Sequence, residues 1–266
     1  MNKQIYRIAV SWGNSSGVLL PNEWKNKEVQ VILIDRTLEI KKEIFNILED
    51  YLEDILGIYL VGSYARGEQT ERSDIDILVI STEVKKEIVS GKYNVSIYPL
   101  KNIKDSLKNN PIIIYPRLLE AKTILNNALL DELKTIAPIL TTKNFKVFIN
   151  DTKRIIKMNK EFIELDKLDG DILESVSVDY SIILRLRGIF MIKGILHKQK
   201  YSTKEFKNWL KSKIEDYEKA YEIYENFRDD KKIKIKIRIK LVEELLSLLN
   251  EEVKKYEKKE KIRKRN

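Results

Sequence analysis

Two aspartates separated by one residue, Asp74 and Asp76, head the apolar run Ile77–Ile80. In an extended strand, residues i and i+2 share a face, so the two carboxylates project together, about 7 Å apart. Such a pair repels itself unless it is solvated, protonated or bridged by a cation. A hard divalent ion, Mg²⁺ above all, is the usual partner for carboxylate oxygens. A second apolar run, Ile58–Val61, ends at Gly62-Ser63. Glycine lets backbone approach a phosphate closely, Ser63 offers a hydroxyl, and free N–H groups where a strand yields to a helix attract anions. A phosphate cradle and a metal-binding carboxylate pair on neighbouring strands point to chemistry on a nucleoside triphosphate. An acidic solvent face explains Asp-x-Asp alone, but not the whole constellation.

Gly62-Ser63, ten residues, then Asp74-Ile75-Asp76, with Ala65-Arg66-Gly67 and Ser73 between, resembles the signature of the DNA polymerase β-like nucleotidyltransferase superfamily. In detail it is similar to the minimal and kanamycin-type prokaryotic members. The resemblance implies that Asp74 and Asp76 are catalytic and hold Mg²⁺, that Gly62, Ser63 and Ser73 bind the nucleotide, and that Arg66 neutralises phosphate charge. The implied reaction is Mg²⁺-dependent transfer of a nucleoside monophosphate from an NTP, ATP first, to a hydroxyl on a protein, an RNA or a small molecule.

In that superfamily a third carboxylate, on an adjacent strand, completes the metal site or activates the attacking hydroxyl. Here the corresponding strand reads Asn94-Val95-Ser96-Ile97, and Ser96 takes the position. Serine is a poor Mg²⁺ ligand and no base without help. Three explanations stand open. An acid from elsewhere, Glu120 or the bundle residues Glu174 and Asp179, reaches the site; two carboxylates suffice; or the domain binds nucleotide without turning it over.

Positioning this site requires an α/β domain followed by a helical bundle, with a short β element in front. Residues 1–36 form that element, with strands expected at Ile5–Ser11, Val29–Ile34 and, shorter, Gly17–Pro21, around the turn cluster Gly13–Gly17. The stretch Gly13–Trp24 resembles AbrB-like swapped-hairpin domains, which implies homodimerisation and, less directly, DNA binding. Residues 37–126 form the nucleotidyltransferase domain. The i, i+4, i+7 spacing of Ile40, Ile44, Ile47, Tyr51 and Ile55 predicts a helix over Leu38–Leu56, closed by Gly57. Residues 81–90 read as a short helix or loop, Tyr93–Leu100 as the third strand, and Tyr115–Asn126 as helix after the break at Asn110-Pro111. Residues 127–266 form an up-and-down bundle with amphipathic segments at 143–166, 172–197, 203–228 and 232–258. It resembles the HEPN-like and kanamycin-nucleotidyltransferase C-terminal domains. Residues 231–240 alternate with period two, yet the helical face continuing through Val242, Leu246 and Val253 assigns them to helix.

Composition narrows the partners. The chain has no cysteine and a single histidine, His197, which excludes disulfides and thiolate sites and argues against histidine-ligated metals. No run of 18 apolar residues suggests a membrane span and the start lacks a secretory core, so the protein reads as cytoplasmic. Charged residues make up 34%, rich in Lys and Glu; with abundant Ile this is a thermophile signal that an AT-rich genome also produces. Of the net charge of +9, residues 254–266 contribute +6. That tail, with the amino-terminal element, supports the alternative of a DNA-binding regulator, whose affinity would fall steeply with salt. Arg185 and Arg187 face either the cleft or solvent.

Overall fold

The computed structural model describes the chain apart from residues 1–4, 6, 8, 32–36, 71–72, 136–139, 198, 234 and 264–266, and the side chains of 37 and 259–263. It divides into two compact units, residues 1–44 and 45–266.

In the first unit β1 (Val10–Trp12) and β2 (Ser15–Gly17) form an antiparallel hairpin in which Val10 pairs with Gly17 and Trp12 with Ser15. A 3-10 turn, Asn22–Trp24, follows Pro21. This corrects three expectations. The strand expected at Ile5–Ser11 is shorter and shifted, Ser15–Gly17 is strand rather than turn, and Val29–Val31 is not strand; residues 32–34 lie outside the described residues. Among the described residues the two three-residue strands have no third partner to hold a longer ladder.

The second unit is built on a mixed sheet. Its strands are β3 (Ile55–Val61), β4 (Ile75–Ser81), β5 (Lys86–Ser90), β6 (Tyr93–Pro99) and β7 (Lys122–Leu125), in the order β5-β6-β4-β3-β7 among the described residues. β4 and β6 run parallel and the other neighbours antiparallel. Helix α1 (Thr37–Ile47) stops short of the predicted end, and a 3-10 stretch, Glu49–Asp54, leads into β3. Gly57 is therefore no helix cap. It lies in β3 at a register shift opposite β4, where a Cβ would overlap the Tyr59 side chain. Two more corrections follow from tertiary pairing. Lys86–Ser90 becomes an edge strand because β6 offers a free side, and Lys122–Leu125 pairs with the other edge at β3 although its sequence continues a helical pattern.

The connecting helices are α2 (Gly62–Arg66), α3 (Leu100–Asn109), α4 (Tyr115–Glu120) and α5 (Asn127–Thr135); α6 (Lys146–Asp166), α7 (Val176–Leu196), α8 (Thr203–Lys211), α9 (Tyr217–Arg228) and α10 (Ile239–Arg263) make the bundle. One sheet face, through Tyr59, Val61, Leu78 and Ile80, joins a continuous core with Leu118 of α4, Ile182 and Leu186 of α7 and Val242 of α10. The alternating stretch before α10 is extended, not helical. Leu173 N–H donates to Ile237 C=O and Ile239 N–H to Asp171 C=O, so the local period of two wins where the chain finds a strand-like partner. Segment 203–228 is broken into two helices by residues 212–216. Among the described residues no helix is long and apolar enough to cross a membrane.

Asp166 anchors the bundle's first turn, accepting the N–H groups of Glu174 and Ser175 at 3.0 and 2.8 Å. Asp179 differs: it is fully buried and neither carboxylate oxygen has a hydrogen-bond partner. Burial pushes its pKa well above the ordinary 3.8. The folded chain thus keeps a proton that the unfolded chain releases above about pH 4, so this group's contribution to stability is full below that pH and is lost as pH rises toward the folded pKa. Wild type is expected to lose stability relative to Asp179→Asn as pH rises from about 4 toward the folded pKa, with a slope approaching about 1.4 kcal/mol per pH unit. Urea midpoints across that range check it; parallel profiles would refute it.

Candidate active site

The strand register brings the two predicted halves of the site together. Val61, the last residue of β3, pairs with Asp76 of β4, so the turn that begins at Gly62 opens beside the Asp76 side chain. Gly62 has φ +71°, and a Cβ there would overlap Asp76 Oδ2. Only glycine lets the chain cross the carboxylate at this distance and in this conformation. Short helix α2 follows, ended by Gly67 at φ +73°. Asp74, just before β4, is exposed, and Asp76 is half-buried. Burial pushes the Asp76 carboxyl above its usual range, Asp74 adds to this, and Arg117, Arg66 and Arg228 oppose it. These arginines come from α4, α2 and α9, so the bundle contributes to the field at the aspartate.

Arg66 is largely enclosed, its side chain 13% exposed. Its Nε donates to Glu68 at 2.8 Å and one terminal nitrogen to Glu120 at 2.6 Å. Glu120 also accepts the Gly62 N–H at 2.7 Å. Burial raises the Glu120 pKa, against the pull of Arg66, Gly62 N–H and Arg187. Glu68 in turn accepts the Ser202 hydroxyl at 2.9 Å and the Thr203 N–H at 3.0 Å. Ser202 caps α8, its Oγ accepting the Glu205 N–H at 3.4 Å, and Glu68 takes the donors left at the start of that helix. The loop between Gly62 and Asp74 is thereby tied to the bundle.

Of the other sequence candidates, Ser63 sits in α2 at the head of this loop. The Ser73 hydroxyl accepts the Thr70 N–H at 2.9 Å and closes the loop on itself. The parallel register places Asn94, not Ser96, directly beside Asp76, and Ser96 opposite Leu78. Ser96 donates to Glu87 of β5 at 2.7 Å, and Tyr98 donates to the same carboxylate at 2.5 Å. Among the named alternatives for a third acid, Glu120 reaches the Gly62 turn, Glu174 is exposed before α7, and Asp179 is enclosed in the bundle. Among the described residues no cluster of three or more acidic, His or Cys side chains is assembled to hold a metal.

Arg187 points inward. Its guanidinium donates to the hydroxyls of Tyr201 and Tyr224 at 3.0 and 3.2 Å, and Arg187 and Arg66 lie 4.9 and 5.3 Å from the Tyr201 ring centroid. Arg185 packs on Phe148 instead. Glu68, Arg117 and Arg228 were missed in the sequence, where nothing local distinguishes them from solvent-facing charges.

The chain belongs to the nucleotidyltransferase domain family, whose profile matches residues 41–184. It is a nucleotidyltransferase. A protein of Methanocaldococcus jannaschii named as a protein adenylyltransferase is 32% identical over 139 residues, 48% of this chain and 93% of that protein. A second of that name from the same organism is 38% identical over 88 residues, 28% of this chain and 86% of its own length. The crystal structure of spectinomycin adenyltransferase AAD(9) from Enterococcus faecialis with ATP and spectinomycin is 17% identical, covering 82% of this chain and 99% of that one with a TM-score of 0.44.

The Gly62–Asp76 contact generates a test. Gly62→Ala is expected to lose more than about 1 kcal/mol of stability, because the new Cβ meets both a backbone region that side chains disfavour and the carboxylate. Chemical denaturation measures it; an unchanged midpoint would mean that the Asp76 side chain turns away without cost.

Proposed function

We propose that this chain is an adenylyltransferase that moves AMP from ATP onto a hydroxyl of a protein, with Mg²⁺ held by Asp74 and Asp76. The observation that carries the reading is the meeting of the Gly62 turn and the Asp76 carboxyl across paired strands, in the positive field of Arg66, Arg117 and Arg228. The named activity of the M. jannaschii relatives supports a protein acceptor over RNA or a small molecule. In this reading residues 37–126 carry the chemistry and residues 127–266 close over it.

The donor set fits a hard divalent cation. The pair offers only carboxylate oxygens, and among the described residues neither aspartate forms an ion pair or a side-chain hydrogen bond. Burial and Asp74 both penalise the ionised form of Asp76, a cost that a cation would relieve. Bound there, the ion would supply charge neutralisation on the phosphates. The chain's own residues do the rest. Gly62 N–H and Arg66 orient the triphosphate, and Arg117 and Arg228 add positive field over the leaving phosphates. The acceptor oxygen forms a bond to the α-phosphorus, the bond from that phosphorus to the β-phosphate oxygen breaks, and pyrophosphate leaves with the electron pair. The hydroxyl proton passes to solvent or a site carboxylate.

Calorimetry with ATP and GTP, with and without Mg²⁺, tests the reading. Micromolar-range binding is expected that requires the metal and disappears in Asp74→Asn/Asp76→Asn. Absence of binding by either nucleotide at any Mg²⁺ concentration would remove the enzymatic reading.

A further inference from the structure

The anion seat of the site is filled by the chain itself. Glu120, the last residue of α4, gives one carboxylate oxygen to Gly62 N–H at 2.7 Å and the other to Arg66 at 2.6 Å. Its side chain is 9% exposed. These two donors are the ones the nucleotidyltransferase reading assigns to phosphate, and the inference rests on that reading. They grip one carboxylate by both oxygens, as they would grip two oxygens of a phosphate group.

We propose that Glu120 is an internal occupant of the phosphate seat, which incoming nucleotide displaces toward Arg187. Two anions cannot share one N–H and one guanidinium nitrogen in a site this enclosed; their repulsion grows as water is excluded. The seat survives the exchange because Arg66 keeps its second anchor: its Nε remains on Glu68, which Ser202 and Thr203 hold at the start of α8. The displaced carboxylate also has a destination. Arg187 acts electrostatically on Glu120, and its own hydrogen bonds run to the neutral hydroxyls of Tyr201 and Tyr224. A guanidinium that is largely enclosed and bonded to neutral groups is an incomplete ion pair. Without nucleotide, one carboxylate serves the seat beside Arg187; with nucleotide, the phosphate takes Arg66 and Gly62 while Glu120 takes Arg187. Both cations are then matched.

Inorganic pyrophosphate without any divalent ion probes the seat, because its donors belong to the chain. By calorimetry on the full chain, Glu120→Gln is expected to bind pyrophosphate about tenfold more tightly than wild type. The amide keeps the shape and sheds the competing charge. Arg187→Gln is expected to weaken binding several-fold in the wild-type background and to have little effect once Glu120→Gln is present, a coupling that two independent contributions to binding do not produce. Equal or weaker binding by Glu120→Gln, with wild type binding pyrophosphate, overturns the proposal and makes Glu120 a fixed support of Arg66. No binding by either protein overturns both this proposal and the phosphate role of Gly62 and Arg66. Should Glu120→Gln melt early, Glu120→Asp reads the same quantity, since the shorter side chain cannot span both donors and binding again tightens.

Discussion

The structure of the site depends on one close approach, that of the Gly62 backbone to the Asp76 carboxyl. It follows from the pairing of Val61 with Asp76, which ends one strand where the next begins to carry its acidic residues. A glycine at positive φ then takes the chain over the carboxylate, and the N–H of that glycine donates to a second carboxylate, that of Glu120. Two carboxylates beside one glycine are poor neighbours unless cations offset them. The cations present, Arg66, Arg117 and Arg228, come from three different helices and make the juxtaposition tolerable.

This charge balance links the sheet to the bundle. Arg66 is held between Glu120 on α4 and Glu68 in its own loop, and Glu68 in turn caps α8. Arg187 of α7 shares the Tyr201 ring with Arg66. Beneath these polar contacts a single apolar core runs from Tyr59 in β3 to Val242 in α10. The bundle is therefore part of the framework that sets the site's electrostatics, and the loop that follows Gly62 has an anchor on each side.

Much of the site was legible because its signal is local. Gly62, Asp74 and Asp76 lie within a short stretch, and their roles depend on strand alternation and on a backbone conformation open to glycine, both properties of neighbouring residues. The elements that failed depend on partners far along the chain. Lys86–Ser90 and Lys122–Leu125 are strands because β6 and β3 present unpaired edges, and nothing in their own sequences outweighs a loop or helix reading. Gly57 reads as a helix end in isolation and is a strand glycine because Tyr59 needs the space. In the stretch before Ile239 the opposite holds: local alternation was right, and the helical continuation that overruled it begins only at α10.

The sequence by itself determined the family, the carboxylate pair, the glycine turn and the order of an α/β domain before a helical bundle. Those are encoded in spacings of a few residues, where chain geometry leaves little choice. Only the tertiary structure decided that Glu120 meets Gly62 and Arg66, that Asn94 rather than Ser96 stands beside Asp76, and that Arg187 turns inward to Tyr201 and Tyr224. A charged residue on a helix looks the same in sequence whether it faces water or a carboxylate 50 residues away. Which it faces is set by how the helices and the sheet share one core.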